Sequence, residues 1–399
     1  MKSGNASMTD KAYPFAGLRV VDFSSVVSGP HCTSLLCSMG AEVIKIEPPE
    51  GEMLRDRPPM RGGASAFYGH MNGGKRCIAL DLKAPKAIDI VKRLVARADI
   101  LVENFRPGVM KRLGLDYDSV KALKPDLIYC SISGYGQSGP SAGKAAYAPV
   151  VHASSGYDMA HLSYQEGREK PDVSAIYVAD VISGTYAMGA IATALYHRRA
   201  TGEGQSIDVS MMEATLSVLV PDIEKAQFPA PQPIPRALSG AIRCRDGYVM
   251  MAPASERNFQ ALAKAMDRED WLTDPRFATF AERRLNTPVL AGIVADWAST
   301  RLVVDVEALW ESHGVPCSRF RTVGEALDDP QLAHRDAIVE MRDSGGAFRS
   351  VHPPFRISGL EARTRPDIAD IGADADSILA ELDYATADVT ELRTSGVLK

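Results

Sequence analysis

Short apolar runs alternate with segments of helical period through the first half of the chain. Leu18-Arg19-Val20-Val21-Asp22-Phe23 reads as a buried strand, and Ser28-Gly29-Pro30 follows it. Pro30 suits a first helical turn, and Gly40 suits the cap of a helix ending near Met39. Glu42–Glu47 is a second strand, so strand, helix and strand form a βαβ unit with a parallel pair. Pro48–Gly74, rich in Pro, Gly, Arg and Met, is a long loop, and loops of that length are usually functional. Cys77–Leu82 is a strand. Pro85–Ala98 is an amphipathic helix with Ile88, Val91, Leu94, Val95 and Ala98 on one face. Strands follow at Ile100–Glu103 and Leu127–Ser133, with short helices reaching Arg112 and over Tyr117–Leu123. Gln205–Ser210 is a further strand and Met211–Val220 a helix. The pattern predicts an α/β domain with a parallel sheet. Pro221–Pro235 holds five prolines and little periodicity, as a linker would. Beyond Ala237 a strand at Tyr248–Ala252 and helices near Arg257–Met266, Val289–Thr300 and Val303–His313 suggest a smaller, helix-rich domain. Val315–Val323 reads as a strand, and two short helices, Asp374–Leu382 and Asp388–Arg393, close the chain.

One carboxylate stands out in this pattern. Asp180 ends the apolar run Ser174–Val178 and precedes small and apolar residues from Gly184 to Leu195. That is a strand or extended loop, a carboxylate, and then a buried helix. At a helix N-terminus the dipole favours the ionised form. Asp180 is thus either an ordinary N-cap or an activated nucleophile, and the stretch alone admits both. The segment before it carries Lys144, Tyr147, His152, Tyr157, Asp158 and His161. A His and an Asp brought together do acid–base work, although a lone loop His is more often structural. Basic residues gather where strands end, at Lys75-Arg76, Arg106 and Lys111-Arg112, where open α/β sheets bind ligands. Such groups hold phosphates and Phe105 stacks on a purine, or the same residues form a solvated basic face. The first turn has no GxGxxG, which disfavours NAD or FAD.

Composition narrows the field. The chain of 399 residues is long enough for two domains, and at 45% hydrophobic and 24% charged it is globular rather than disordered. A net charge of −5 argues against nucleic acid as a partner. Six scattered cysteines without a CxxC pair fit reduced thiols in the cytoplasm, and no spacing forms a metal-ligand set. No apolar run in the sequence suggests a membrane span, and Met1–Asp10 reads as a loose polar leader.

Together these stretches resemble the class III coenzyme A transferases, the group of formyl-CoA transferase, carnitine CoA-transferase and α-methylacyl-CoA racemase. The resemblance is carried by GLRVVDFSSVVSGPHCTSLLCSMGAEVIKIEPPEGE, NGGKRCIALDLK, ILVENFRPGVMKRLGLDYDSVKALKPDLIYCSISGYGQSGP, DVISGTYAMGAIATALYHRRATGEGQSIDVSMMEA and SILAELDYATADVTELRTSGVL, in that order from Gly17 onward. It implies a large Rossmann-like domain from residues 1–220 and 325–399, a linker at 221–235, a smaller α+β domain at 236–324, and an interlocked homodimer. It also implies CoA transfer from an acyl-CoA, with succinyl-CoA a candidate donor, to a free carboxylic acid through a covalent intermediate on Asp180, with acyl-CoA as substrate and no tightly bound cofactor. By motif, CoA contacts fall on Val27, Ser28, Lys75, Asn104, Phe105, Arg112, Leu113 and Lys144. Tyr147 stands where the racemases carry their histidine and the transferases a tyrosine, which favours transfer. The alternative is α-proton exchange by His152 and Asp180. The stretch matching the closure loop, Leu238–Ile242 with Ser239 and Gly240, is not glycine-rich.

Overall fold

The computed structural model describes residues 12–165, 167–173, 175–228, 238 and 240–399. The Met1–Asp10 leader, Ser174, Ser239 and residues 229–235 of the expected linker lie outside these. In chain order the elements that position the site are β1 (Arg19–Asp22), α1 (Ser28–Ser38), β2 (Glu42–Glu47), α2 (Ala66–Asn72), β3 (Arg76–Ala79), α3 (Pro85–Ala96), β4 (Ile100–Glu103), α4 (Val109–Leu113), α5 (Tyr117–Val120), β5 (Ile128–Ser133), α6 (Ala148–Ser154), α7 (Tyr157–Ser163), α8 (Val178–Thr201), β6 (Gln205–Ser210), α9 (Met211–Leu216) and α10 (Val220–Gln227).

The six strands pair in parallel in the order β3-β2-β1-β4-β5-β6. This is the strand order of Rossmann-type doubly wound sheets, and it puts the topological switch point between β1 and β4. The central strands β4 and β5 are buried along their whole length because both faces are covered, whereas the edge strand β6 is only partly buried. Val21, Ile44, Ile78 and Leu101 face α3 and the helices Ala375–Glu381 and Thr386–Thr394. Val20, Val43, Ile100, Val102 and Ile128 face α1 and α8. On α3, Ala87, Ile90, Val91, Leu94 and Val95 are fully buried, about 1.5–3 kcal/mol for each of the larger side chains.

Two compact units are present, Met1–Glu224 with Ala333–Lys399, and Lys225–Leu332. The second has an antiparallel sheet of Gly240–Arg243, Tyr248–Met251 and Cys317–Arg319. Its core holds Phe259, Trp271, Phe277 and Trp310.

Several sequence expectations need correction. The segment ahead of Asp180 is not a plain loop, since it holds α6 and α7. Pro149 lies in the first turn of α6, and the left-handed Gly156 separates the two helices. Of the strand or extended loop read ahead of Asp180, residues 175–177 are the extended-loop alternative and form no strand. Part of the expected linker is helical, as α10, because Pro221 sits at its second residue, where a missing N–H costs nothing. The expected strand Val315–Val323 is shorter, at Cys317–Arg319, and a hairpin at Ile338–Asp343 and Gly346–Val351 was not foreseen. Finally, α8 is long and apolar enough, by length and composition, to cross a membrane. Here it packs on α1, with Ala187, Ile191 and Ala194 in the sheet core.

Under the first turn lies a buried ionic network. Asp22 accepts from the Ser24 and Thr33 hydroxyls and from Lys75 Nζ at 3.1 Å. Lys75 also donates to Pro30 O at 3.1 Å, Thr33 Oγ1 at 2.7 Å and Asn72 Oδ1 at 2.9 Å. Burial alone would raise the Asp22 carboxyl, but Lys75, Lys45 and the two hydroxyls hold it down at about 2. Lys75 is therefore an internal cation beneath the turn, which corrects its expected place among the CoA contacts. Removing one partner of such a pair strands a buried charge. Lys75→Met is expected to cost about 3–5 kcal/mol of stability. Adding Asp22→Asn is expected to recover part of that loss, which urea denaturation of the single and double variants measures.

Candidate active site

Each strand of the switch-point region ends in a side chain or loop that faces a common cavity. Ser25, Val26 and Ser28 come from the β1–α1 turn, Asn104–Pro107 from the end of β4, Ser133 and Gly134 from β5, and Met211 from the end of β6. With Met53, Lys144, Ala146, Tyr147 and Asp180 they line about 230 Å³. A second cavity of about 560 Å³ shares Ser25, Met53 and Phe105 with it and extends to Leu80, Asp81, Leu82, Lys83 and Leu113.

The β1–α1 turn is clamped from three sides. Asn104 accepts from Ser25 N at 2.9 Å and donates to Ser25 O at 2.8 Å and Ser28 Oγ at 3.1 Å. Glu52 accepts from Val26 N at 2.8 Å, and Lys45 donates to Ser24 O at 2.8 Å. Val26 is held at φ 67°, a left-handed conformation that a β-branched residue adopts only under constraint. A side chain on Gly29 would overlap Ser24 Cβ at 2.2 Å, so this turn is tight without a GxGxxG pattern.

The approach of α8 to α1 places Asp180. A Cβ on Gly184 would stand 2.4 Å from Ser28 O, so only glycine lets the two backbones meet. Asp180 is the third residue of α8 rather than its N-cap, which is Tyr177. It is 7% exposed. Burial raises its carboxyl to about 6, against the pull of two backbone N–H donors, those of Ser28 and Asp180 itself. The carboxylate thus lies between the N-termini of two helices, with one side toward the cavity.

The expected site residues divide as follows. Asn104, Phe105, Lys144, Tyr147, Ser28 and Asp180 share the first cavity, and Leu113 lines the second. Val27, expected to contact CoA through its backbone, lines neither cavity, and its side chain packs inward with Leu54, Tyr68 and Met71. Arg112 stands exposed on α4, next to Leu113. His152 is buried, and its Nε2 accepts from Ala179 N at 3.1 Å. The lone pair that proton exchange with Asp180 would require is already engaged, which corrects the acid–base reading of this pair. Gly240, expected in a closure loop, opens a strand of the second unit opposite Met251. Arg55 and Arg61 of the long loop serve structure. Arg55 makes a bidentate pair with Glu47 and Arg61 one with Asp343.

Lys83, Met53 and Ser133 were not foreseen, whereas Arg106, read as a strand-end cation, does line the first cavity. Lys83 closes the ALDLK stretch directly after β3, a strand-end position of the same kind as Arg106 after β4. The Ser133 hydroxyl is buried and lacks a partner among the described residues. Among those residues no group of three or more His, Cys, Asp or Glu is arranged to hold a metal ion.

A Rossmann-order sheet with cations and a desolvated carboxylate at its switch point is an α/β fold whose candidate site lies at the carboxyl ends of its strands. The model of CoA-transferase family III matches residues 15–375, and the chain belongs to that family. It is 31% identical to a succinate–glutarate CoA-transferase of Agrobacterium fabrum, over 94% of this chain and 97% of that protein. It is 35% identical to an acetyl-CoA:oxalate CoA-transferase of Acetobacter aceti, over 87% and 90%. Among solved structures, a CaiB/BaiF family protein of Brucella suis superposes with a TM-score of 0.82 at 30% identity, covering 94% of this chain and all of that one. The chain is thus an enzyme of the class III CoA-transferase family.

The buried Asp180 charge has a measurable cost. Its folded value of about 6 against an ordinary 3.8 means the folded state holds the proton more tightly than the unfolded state. Stability therefore falls as pH rises from about 4 to 6 and is level above. Asp180→Asn is expected to be more stable than the wild type at pH 8, by up to about 3 kcal/mol. The gap should close below pH 4 in thermal denaturation across pH.

Proposed function

We propose that Asp180 is the nucleophile of the transfer. The observation that carries this reading is its carboxylate: desolvated, aimed into the cavity, and held by backbone N–H groups rather than by a neutralising cation. The ionised carboxylate attacks the thioester carbonyl of an acyl-CoA. The tetrahedral intermediate expels CoA thiolate and leaves an acyl–aspartyl anhydride. The thiolate then attacks the Asp180 carbonyl of the anhydride, forming an aspartyl-CoA thioester and releasing the donor carboxylate. The acceptor carboxylate attacks that thioester, again expelling thiolate, and the thiolate takes the acceptor's acyl group, restoring Asp180. Each step exchanges one carbonyl substituent for another and consumes no water. The Ser28 N–H and the unpartnered Ser133 hydroxyl are donors suited to the developing oxyanion.

CoA occupies both cavities in this reading. The pantetheine passes Phe105 and Asn104, and the nucleotide lies by Leu113 and Lys83, with Arg112 and Lys83 near its phosphates. The relatives named above act on short dicarboxylates and oxalate. Succinyl-CoA is accordingly the proposed donor and a short dicarboxylate the acceptor, its second carboxylate near Arg106 and Lys144.

The active form in this proposal is an interlocked homodimer in the cytoplasm. Exposed apolar side chains recur along the α6–α8 segment: Tyr147, Met159, Ile176 and Tyr196, the last at 77% exposure. Such a run marks an interface. Light scattering after size exclusion is expected to give twice the chain's mass, independent of dilution.

Covalent transfer is tested by intact mass after incubation with succinyl-CoA and hydroxylamine, which converts an aspartyl thioester or anhydride to a hydroxamate. The adduct is expected on Asp180 and absent in Asp180→Asn. Its formation should rise with pH through about 6, as the carboxyl ionises. An enzyme active in transfer yet unlabelled at Asp180 would overturn the mechanism.

A further inference from the structure

Helix α8 begins without a side-chain cap of its own. Its N-cap residue, Tyr177, carries no oxygen placed to accept from the first turn, and no cap hydrogen bond is made. The first-turn N–H groups nevertheless all have partners. Val178 N donates to Ile176 O at 3.0 Å, Asp180 N to its own carboxylate, and Val181 N to Tyr177 O at 3.0 Å. That leaves Ala179 N, fully buried, and it donates to His152 Nε2 at 3.1 Å. His152 comes from the last turn of α6 and is only 3% exposed. The Tyr157 ring lies against it with centroids 4.9 Å apart.

We infer that His152 is a positioning residue: as a neutral imidazole it caps α8 from outside the helix and so fixes where the Asp180 carboxylate stands. The donor, Ala179 N–H, is one residue from Asp180, so a shift of the first turn moves the carboxylate with it. A buried N–H that loses its acceptor has no water to replace it. The helix relieves that by fraying, and the fray begins at the nucleophile. Only a ring with its proton on Nδ1 offers Nε2 as acceptor. The role therefore differs from proton transfer to substrate, and it rests on the reading of Asp180 as nucleophile.

Three substitutions separate the acceptor from the ring. In His152→Gln the amide oxygen reaches about as far as Nε2. In His152→Asn the oxygen is at the Nδ1 distance and falls short. His152→Leu fills space without an acceptor. Two measurements on the full-length enzyme are needed: deuterium exchange of the peptide spanning Tyr177–Gly184, and hydroxamate formation on Asp180 with whichever of succinyl-CoA or acetyl-CoA labels the wild type faster. Asn and Leu are expected to slow labelling about 10–100-fold, the range set by a displacement of about 1 Å at a reacting group. KM for acyl-CoA should hold within about twofold, because His152 lines neither cavity. Both should speed exchange at the start of α8. Gln is expected to restore both readouts. Gln behaving like Leu, or all three exchanging and labelling like the wild type, would overturn the inference. A hydroxamate that forms elsewhere than on Asp180 sinks the nucleophile reading instead, and the exchange data then still decide whether residue 152 caps the helix.

Discussion

The backbone contact between α1 and α8 is the constraint on which the site depends. Ser28 O meets Gly184 with no room for a Cβ. That contact brings the N-terminus of one helix to the first turn of another. Ser28 N–H can then reach a carboxylate that belongs to a distant part of the sequence. Helix dipoles act over about one turn, so the benefit exists only at this separation. The pull of the two N–H groups is nonetheless smaller than the cost of burial, and the Asp180 carboxyl stays above its ordinary range. A carboxylate so held is ionised near neutral pH yet poorly solvated, the state that the proposed attack on a carbonyl calls for.

Holding α1 in that place requires the turn before it to be rigid, and the rigidity comes from charge. Asp22, Lys75, Lys45 and Glu52 are all buried beneath or beside Ser24–Ser28. A cluster of this kind contributes little net stability, since desolvation offsets most of the attraction. What it does provide is geometry. Each of its members bonds a backbone group of the turn or another member that does, and Val26 is kept in a conformation that it would otherwise leave. Asn104 adds the link to β4, so the two strands that flank the switch point share one hydrogen-bonded unit.

Much of the sheet is legible in the sequence because it is buried on both faces. Glu42–Glu47 and Gln205–Ser210 show as strands through length and β-branched content alone, and the parallel pairing follows from the helices between them. Asp180 is legible as a helix-start carboxylate because small residues follow it at once. Lys75 shows the limit of such reading. A lysine at a strand end has the same sequence signature whether it points at a phosphate or beneath a turn, and only the position of Asp22 and Thr33 decides. Pro221 shows another. Proline marks a break in a pattern, but in the first turn of α10 the same residue begins a helix. Lys83 was passed over because, as the last residue of NGGKRCIALDLK, it is a lone lysine after two half-buried residues, although the end of β3 leads straight into the second cavity.

His152 belongs to a third kind of case, in which the residue is found and its part in the chemistry is not. A histidine near an aspartate invites an acid–base reading, because the side chain titrates near neutrality. Here burial pushes the ring below its ordinary value, against the pull of Asp158, and Ala179 N–H takes the lone pair. The two effects act in one direction, toward a neutral ring that accepts a hydrogen bond. A proton shuttle needs the opposite, a nitrogen free to exchange its proton with the substrate. The proposed exchange through thioester and anhydride needs no shuttle, since every group that would leave is an anion stable without protonation, a thiolate or a carboxylate. What it needs is a carboxylate that does not move while its carbonyl changes partners. A neutral imidazole fixed to the helix that carries it meets that need.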